Sequence, residues 1–291
     1  MKQVNERGKD VDKEGMDKEG MDKENKSAGK EDKDVTGKTV TDKTVPGADF
    51  SGISSALVAV SGGVDSAVLL HLAKEAGVRV EAACVVSEFT ARCDLSAARE
   101  AAAREGVPFH EIHVSFLEEE AISANTKDRC YLCKKKMAAG LRSLAETRGL
   151  SAVLEGTNAD DGVRPGLRAL QEAGVRSPLR TLSKSEIVTI AENTGIPVRP
   201  PSSCLAARIP QNIRITRENL SLAEAAEETL RRAGVLGILR VRISGADDEG
   251  MVSAAVEVER GFMKPAVFFE EKLKPLGIQV LSLHEYRTGG A

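Results

Sequence analysis

The sequence contains no tryptophan, and aromatic residues make up only 3% of its 291 residues. A surface that stacks the bases of single-stranded nucleic acid needs aromatic side chains, so this composition supplies little for one. An excess of one charge is missing too, because 41 Lys and Arg residues are balanced by 44 Asp and Glu residues. We therefore expect no nucleic-acid partner and no general attraction to anionic membranes.

Long apolar runs are also absent from the sequence. No run approaches the ~18–20 residues of a membrane span, and the N-terminus lacks the apolar core of a secretory signal. These absences predict a cytoplasmic protein with no membrane partner. The five cysteines are an odd number for a disulfide scaffold, so reduced thiols, metal ligands or catalytic sulfur are more typical of such a chain.

Three regions follow one another along the chain. Residues 1–48 contain three near-identical pentads, VDKEG, MDKEG and MDKEN, and too few apolar side chains to offset the entropy of ordering, which predicts a disordered mixed-charge tail. Residues 49–200 alternate strand-like and helix-like segments, which predicts an α/β domain with a doubly wound parallel sheet. Residues 201–291 have the order helix, strand, strand, helix, strand, which predicts a smaller α+β domain.

The most informative stretch is VAVSGGVDSAVLLHLA, which begins at Val58. An apolar strand runs into a glycine turn, and a helix begins at once, so backbone N–H groups and the positive end of the helix dipole would face an anion. Asp65 would repel a phosphate unless a cation lay between them, which indicates Mg²⁺. A Walker loop carries a lysine for the β- and γ-phosphates, and this loop has none. It therefore fits pyrophosphate as a leaving group.

The loop resembles the PP-loop of the N-type ATP pyrophosphatases, which include GMP synthetase, NAD synthetase and the tRNA thiolases. The resemblance implies that ATP adenylates an oxygen of the acceptor, that pyrophosphate leaves, and that a nucleophile then displaces AMP. It assigns ATP and Mg²⁺ to Ser61, Gly62, Gly63, Val64, Asp65 and Ser66, with Asp65 and Ser66 in catalytic roles. Ser87 and Gly156, at the ends of predicted strands, would border the nucleotide. Asp160, Asp161 and Arg164 would reach its phosphates.

Three cysteines form a second candidate site. Cys130 and Cys133 begin a predicted helix among lysines and arginines, and both features lower a thiol pKa, which favours thiolates. Together with Cys204, in the loop PPSSCLAARIP, they suit a [4Fe–4S] cluster with one open iron. Zinc is an alternative that needs a fourth ligand, with candidates His110, His113 and Cys93. A redox-active CxxC pair is a third interpretation.

Four further stretches narrow the resemblance: NTKDRCYLCKKK, LEGTNADDGVRPGLRALQEAGVRSPL, PSSCLAARIP and LRVRISGADDEGMVSAAVEV. From about Ala56 to Arg287 the chain is similar to the LarE family, ATP-dependent sulfur transferases that build the nickel-pincer nucleotide. The resemblance implies a substrate, pyridinium-3,5-biscarboxylate mononucleotide, one carboxylate of which is adenylated and becomes a thiocarboxylate. Members with a single cysteine, the counterpart of Cys204, sacrifice its sulfur. Members with three cysteines are similar to this chain.

The three-cysteine resemblance implies a [4Fe–4S] cluster on Cys130, Cys133 and Cys204, to which sulfide or another sulfur donor supplies the sulfur. The family resemblance also implies a symmetric homo-oligomer. For the substrate we expect Arg240 and Arg242, which alternate along a predicted strand and so share one face, to clamp a phosphate. The family pattern adds the substrate ligands Arg208, Glu227 and Glu257.

Three other functions remain open from the sequence. A tRNA thiolase usually carries a basic RNA-binding module, whereas here only Lys127–Lys136 is basic. A non-catalytic sensor of nucleotides or clusters would not need Asp65. Amide synthesis from ammonia would need no CxxC.

Overall fold

The apolar segment SALVA forms the first strand, β1 (Ser55–Ala59), of the computed structural model. The structure describes residues 47–246 and 250–287. The predicted tail, residues 1–48, therefore lies outside the described residues except for positions 47 and 48.

Strand β1 lies inside a four-stranded parallel sheet with β2 (Arg79–Val86), β3 (Phe109–His113) and β4 (Ala152–Leu154), in the order β3-β2-β1-β4. The chain builds outward from β1 to β3 and then returns to the other side of β1. Such a reversal opens a crevice at the carboxyl ends of the two strands beside it, here β1 and β4. The predicted doubly wound α/β fold is confirmed.

Helices cover both faces of this sheet because successive side chains of a strand point to opposite sides. Ala56 and Val58 pack into one core cluster, and Leu57 packs into the other. The first cluster is completed by α1 (Val64–Glu75), α2 (Arg92–Glu105) and α6 (Lys184–Asn193). The second is completed by α4 (Arg129–Thr147) and α5 (Pro165–Glu172), and a short helix, α3 (Glu120–Ser123), precedes α4.

A second sheet contains β5 (Leu239–Ala246), β6 (Val252–Val258) and β7 (Ile278–Glu285). β5 pairs antiparallel with β6, and β6 pairs parallel with β7. One face of this sheet is buried against α7 (Arg217–Arg232) and α8 (Ala266–Leu273), which confirms the predicted smaller α+β unit. Its core also contains Phe89, Phe116 and Ile122 from the first segment, and the boundary between residues 200 and 201 stays a prediction.

Three local predictions differ from the structure. The sequence pattern from Gly261 to Leu273 predicts one helix, but α8 begins only at Ala266, because Pro265 keeps the residue before it out of the helical region. Asp94 is a residue type that caps helices, which predicts a helix start at this position, but α2 begins earlier, with Ala91 at the N-cap, so Asp94 lies in its first turn. Helix α5 was not predicted; it starts with Pro165, a favoured residue at the first helical position.

The segment Ser183–Glu186, a serine followed three residues later by a glutamate, predicts a capping box at the start of α6, and the structure confirms it. The Ser183 hydroxyl accepts from the Glu186 N–H, and the Glu186 carboxylate accepts from the Ser183 N–H. Across residues 47–246 and 250–287, none of the helices combines the length and the hydrophobicity that crossing a membrane requires.

Candidate active site

The glycine turn after β1 has little room for a side chain. Gly62 has a φ of 84°, which a residue with a Cβ rarely adopts. A Cβ at this position would also overlap the main-chain oxygen of Asp94 and lie 2.9 Å from its Cα. The turn therefore needs glycine both for its conformation and for its close contact with the first turn of α2.

Ser66 closes the turn from within. Its hydroxyl donates to the Gly63 carbonyl oxygen at 2.9 Å and accepts from the Ser61 N–H at 3.1 Å. Gly63 is the N-cap of α1, so the N–H groups of Val64, Asp65 and Ser66 belong to the first helical turn, where intrahelical acceptors are missing. The loop and the helix start thus form the anion-binding geometry that the sequence predicted.

A lysine from a distant part of the chain completes this loop. Lys184 donates to both carboxylate oxygens of Asp65, at 2.7 and 2.6 Å, and Asn158 Nδ2 donates to Oδ1 at 3.2 Å. The side chains of Asp65 and Lys184 are 26% and 41% exposed, so solvent and ligands reach the pair. Sequence reasoning missed both Lys184 and Asn158.

One signal for Lys184 was present in the sequence. Lys184 is the first residue of α6, and a cation at a helix N-terminus opposes the helix dipole. A lysine directly after a strong capping serine is therefore misplaced for helix stability alone. Asp160 contacts the same residue. Its Oδ2 accepts from the backbone N–H of Lys184 at 2.7 Å and so fixes the start of α6.

The other predicted nucleotide residues lie along the same edge of the sheet or beside it. A Cβ on Gly156 would lie 3.0 Å from the Ser66 nitrogen and 3.1 Å from the Asp65 carbonyl carbon, so β4 ends directly against the start of α1. Ser87 follows β2, and its hydroxyl accepts from the Phe89 N–H at 3.1 Å. The Arg164 side chain is 68% exposed, and its Nη2 donates to Asp161 Oδ1 at 2.8 Å. The binding roles of these residues stay predictions.

The three predicted metal ligands lie near one another. Cys130 and Cys133 are in the first turns of α4, and Cys204 is the exposed N-cap of a short 3-10 helix, Leu205–Arg208. Burial, with smaller contributions from the charges of Cys204 and Cys130, raises the pKa of Cys133 to about 12. The predicted low-pKa thiolate at Cys133 is therefore wrong, because burial outweighs the nearby cations Lys134 and Arg129.

The donor set bears on which metal these thiols would hold. Among the described residues, no group of three or more His, Cys, Asp or Glu side chains is arranged around one metal-ion position. His110 bonds Glu81 at 2.7 Å, and His113 lies 3.5 Å from Glu111, so neither histidine joins the cysteines as the zinc alternative requires. The three thiols are soft donors of the kind that an iron–sulfur cluster takes, but they are not gathered around one metal position in the described residues, so the cluster stays a prediction.

We call residues 199–204 the Cys204 loop. The main chain just after it is fixed from two sides, because the Leu205 N–H donates to the Phe89 carbonyl at 2.9 Å and Arg129 donates to the Ala206 carbonyl at 3.0 Å. Arg208 donates back to the carbonyls of Ser203 and Cys204 at 2.7 and 3.3 Å. The loop is therefore held by groups that come from distant parts of the chain.

Arg208 and Glu227 form a buried bidentate ion pair. Nε and Nη2 of Arg208 donate to the two carboxylate oxygens of Glu227 at 2.7 and 2.9 Å, with the side chains 4% and 9% exposed. Burial lowers the pKa of Arg208, but the Glu227 carboxylate outweighs this and the pKa is raised. Glu227 also accepts from the Val241 N–H at 3.0 Å. The pair supports the Cys204 loop through the bond from Arg208 to Ser203, and the substrate-binding role of both residues stays a prediction.

Arg240 and Arg242 share one face of β5, as the alternation predicted, while Val241 between them is buried on the other. Arg242 donates to Glu257 at 2.6 Å and to the Ala207 carbonyl at 3.0 Å, which brings this face beside the Cys204 loop. The Arg240 guanidinium lies over the ring of Tyr286, 4.6 Å from its centroid. A cleft of about 400 Å³ opens nearby, lined by Glu257, His284, Glu285 and Arg287.

Comparison with known proteins bears on this arrangement. A family model described as queuosine biosynthesis protein QueC matches residues 55–147. An uncharacterized protein of Synechocystis sp. is 32% identical over 222 residues, covering 74% of this chain and 82% of the relative. Another, from Methanocaldococcus jannaschii, is 32% identical over 247 residues, covering 80% and 90%. The pyridinium-3,5-bisthiocarboxylic acid mononucleotide synthase of Lactiplantibacillus plantarum is 29% identical over 246 residues, covering 80% of this chain and 87% of that enzyme. The chain belongs to the LarE family of PP-loop ATP pyrophosphatases.

Membership of the LarE family confirms the resemblance found in the sequence and gives the glycine turn, Ser61–Ser66, its name, the PP-loop. The missing lysine of this loop is accounted for by geometry, because Lys184 reaches Asp65 from α6. In this LarE-family chain the PP-loop, the three cysteines and the arginine face of β5 are the parts from which a mechanism can be built.

Proposed function

We propose that this chain, an ATP-dependent sulfurtransferase, adenylates one carboxylate of pyridinium-3,5-biscarboxylic acid mononucleotide and converts it to a thiocarboxylate. The observation that carries the proposal is the pair of reactive centres: an acid–lysine pair on a phosphate loop, and three thiols beside an arginine-bearing face. The L. plantarum relative, named as the synthase of the bisthiocarboxylic acid mononucleotide, supports the choice of substrate.

In the first step a carboxylate oxygen of the substrate attacks the α-phosphorus of ATP. The bond from that phosphorus to the bridging oxygen of the β-phosphate breaks, and pyrophosphate leaves. The first-turn N–H groups of α1 hold the leaving phosphates. Asp65 is the residue that would hold Mg²⁺, which would neutralise part of the phosphate charge, and the Lys184 ammonium beside it would stabilise the charge that develops on the β- and γ-phosphates.

In the second step a sulfur nucleophile attacks the acyl carbon of the adenylate. A C–S bond forms, the C–O bond to AMP breaks, and AMP leaves with the oxygen that it gained from the carboxylate. With sulfide as the donor, nothing is oxidised or reduced. When bound to Cys130, Cys133 and Cys204, a [4Fe–4S] cluster would supply that sulfide. The ion pair of Arg208 and Glu227 keeps Cys204 in place for transfer.

The substrate carries a phosphate and two carboxylates, so its binding requires cations. Arg240 and Arg242 supply two guanidiniums on one face of β5, and Glu257 orients Arg242 by a 2.6 Å hydrogen bond. We expect a symmetric homo-oligomer, a cytoplasmic location and no nucleic-acid partner.

The proposal is tested by measuring pyrophosphate release with three acceptors in parallel: the pyridinium biscarboxylate mononucleotide, a tRNA transcript and ammonium. We expect release with the pyridinium nucleotide alone, accompanied by a thiocarboxylate product detected by mass spectrometry. Release that requires tRNA would favour the tRNA thiolase, and release with ammonium would favour amide synthesis. Either result would overturn the proposal.

A second route to the same product is favoured by one observation, the exposure of Cys204. Its thiolate would attack the acyl carbon, and β-elimination would leave the sulfur on the product and dehydroalanine at position 204. Intact-mass analysis after a single turnover separates the two routes. An unchanged Cys204 supports delivered sulfide, whereas dehydroalanine in stoichiometric amount supports sacrifice.

A further inference from the structure

The first turn of α2 lies between the two reactive centres. On one side, Gly62 of the PP-loop is in direct contact with the main chain of Asp94. On the other side, the Asp94 carboxylate accepts a hydrogen bond from the Ser202 hydroxyl at 3.2 Å. Ser202 is two residues before Cys204. A single residue therefore contacts both the loop that activates the substrate and the loop that bears the sulfur ligand.

The contacts of the Cys204 loop are unevenly distributed. After Cys204 the main chain is fixed by Phe89 and Arg129, as described above. Before Cys204, the contacts to α2 are Ser202 with Asp94 and an ion pair of Arg199 with Glu100 at 2.6 Å. The side chains of Arg199 and Glu100 are 41% and 58% exposed, and exposed pairs of this kind contribute little. The bond to Asp94 is thus the main restraint that ties the chain entering Cys204 to α2, while Arg208 holds the same chain through the carbonyl and hydroxyl of Ser203, both at 2.7 Å.

The surroundings of Asp94 strengthen that restraint. Burial raises the pKa of Asp94, while the hydrogen bond from Ser202 and the charges of Arg208 and Arg199 lower it. A hydrogen bond to a half-buried carboxylate is stronger than one between neutral groups in water. The main chain of Asp94 is packed against Gly62, so the point from which its carboxylate projects is fixed relative to the PP-loop.

We propose that Asp94 is a positioning residue that sets the distance between the PP-loop, where the acyl adenylate forms, and Cys204. The inference rests on the proposed function. Asp94 does not touch the reacting atoms. It holds Ser202, and through Ser202 the chain that leads into Cys204, at a fixed position relative to the PP-loop. Adenylation needs only the PP-loop, whereas sulfur transfer needs the PP-loop and the Cys204 loop at the correct distance from each other. Loss of the contact should therefore uncouple the two steps.

The test compares Asp94→Ala, Asp94→Asn and Ser202→Ala with the wild type in the complete reaction. For Asp94→Ala and Ser202→Ala we expect the amount of thiocarboxylate per pyrophosphate to fall about five- to tenfold, as for the loss of one charge-assisted hydrogen bond. The KM for ATP should be unchanged. Asp94→Asn keeps an oxygen that accepts from Ser202 and should recover most of the ratio. Ser96→Ala is the matched control, because Ser96 is an α2 serine whose hydroxyl donates to exposed Glu100 at 3.1 Å.

The combined variant Asp94→Ala/Ser202→Ala sharpens the test. If both side chains act through one hydrogen bond, the double variant should resemble each single variant. Additive losses, a ratio that stays at the wild-type value, or equal losses in Ser96→Ala would overturn the proposal.

A second readout does not depend on the pyridinium substrate. Amide hydrogen exchange of the peptide that contains Leu205 should be faster in Asp94→Ala and Ser202→Ala than in the wild type and in Ser96→Ala. If the wild type releases no pyrophosphate with the pyridinium nucleotide but the exchange difference is present, the proposed function fails and the positional role of Asp94 stands. Equal exchange in all four proteins would overturn the positional role itself.

Discussion

The PP-loop and the Cys204 loop are stabilised in different ways. Ser66 closes the PP-loop by bonds to residues three and five positions away. The Cys204 loop depends on Phe89, Asp94, Arg129 and the pair of Arg208 with Glu227, all but Arg208 distant in sequence. The comparison teaches that the turn of the PP-loop is built on local structure, whereas the Cys204 loop depends on the tertiary fold. Substitutions should separate the two.

The largest effect is expected from the buried ion pair. Arg208→Met leaves the Glu227 carboxylate buried without its guanidinium, which costs about 3–5 kcal/mol. We expect this loss in the free energy of unfolding by urea denaturation. Arg217→Met, which removes an exposed arginine 3.5 Å from Glu88, is the control and should change stability by less than about 1 kcal/mol. An equal effect of the two substitutions would show that the pair does not support the fold.

Asp65→Asn tests the PP-loop instead. The variant should fold with wild-type stability, since the Asp65 side chain is partly exposed. Pyrophosphate release should fall about 10²–10³-fold, because the group proposed to hold Mg²⁺ is lost. Asp49→Asn, at an exposed carboxylate bonded to the Ser51 N–H, is the matched control. Activity within tenfold of wild type would remove Asp65 from the catalytic step.

Lys184→Met tests the lysine that the loop itself lacks. Because the ammonium would stabilise the leaving pyrophosphate, we expect its release to slow about 10²-fold, with partial recovery in Lys184→Arg. Lys272→Met, on α8, should have no effect on release. A normal rate in Lys184→Met would mean that the contact with Asp65 is structural only.

Cys133→Ala tests the sulfur side without touching the PP-loop. Pyrophosphate release in the first turnover should persist, but repeated formation of thiocarboxylate should cease because one of the three proposed sulfur ligands is gone. The readout is thiocarboxylate per chain under anaerobic conditions with excess sulfide. Cys84→Ala, at a buried strand thiol, is the control. Unchanged multiple turnovers would contradict the role of Cys133.

The smallest effect concerns Glu81, far from both loops. Hydrogen bonds from Arg148 lower its pKa below 4.5, with a further contribution from His110. A carboxyl whose folded pKa is depressed adds stability above its unfolded pKa and loses it as pH falls through the folded pKa. Glu81→Gln should therefore cost about 1–2 kcal/mol at pH 7, and less at a pH below the folded pKa of Glu81. A pH-independent cost, measured by urea denaturation, would contradict this assignment.

Features that depend on neighbouring residues could be predicted from the sequence. The PP-loop turn needs only Gly62, Gly63 and Ser66, and the start of α6 needs only Ser183 and Glu186. The alternation that places Arg240 and Arg242 on one face is a property of any strand. These features were predicted because their causes lie within a few residues.

Features that depend on packing could not be predicted in the same way. Lys184 and Asp65 are 119 residues apart, and their contact requires the chain reversal that sets β4 beside β1. The high pKa of Cys133 depends on its burial against the core of the smaller sheet, and the cations near it in sequence do not reveal that burial. Helix α5 was missed because eight residues that begin Pro-Gly have weak helical propensity.

The central claim is that a substrate carboxylate is adenylated before sulfur arrives, and oxygen transfer tests it most directly. Pyridinium-3,5-biscarboxylic acid mononucleotide labelled with ¹⁸O in its carboxylates would be converted with ATP and sulfide, and the AMP analysed by mass spectrometry. We predict one ¹⁸O atom in each AMP and the loss of one from each carboxylate that becomes a thiocarboxylate. Unlabelled AMP alongside thiocarboxylate product would contradict the mechanism.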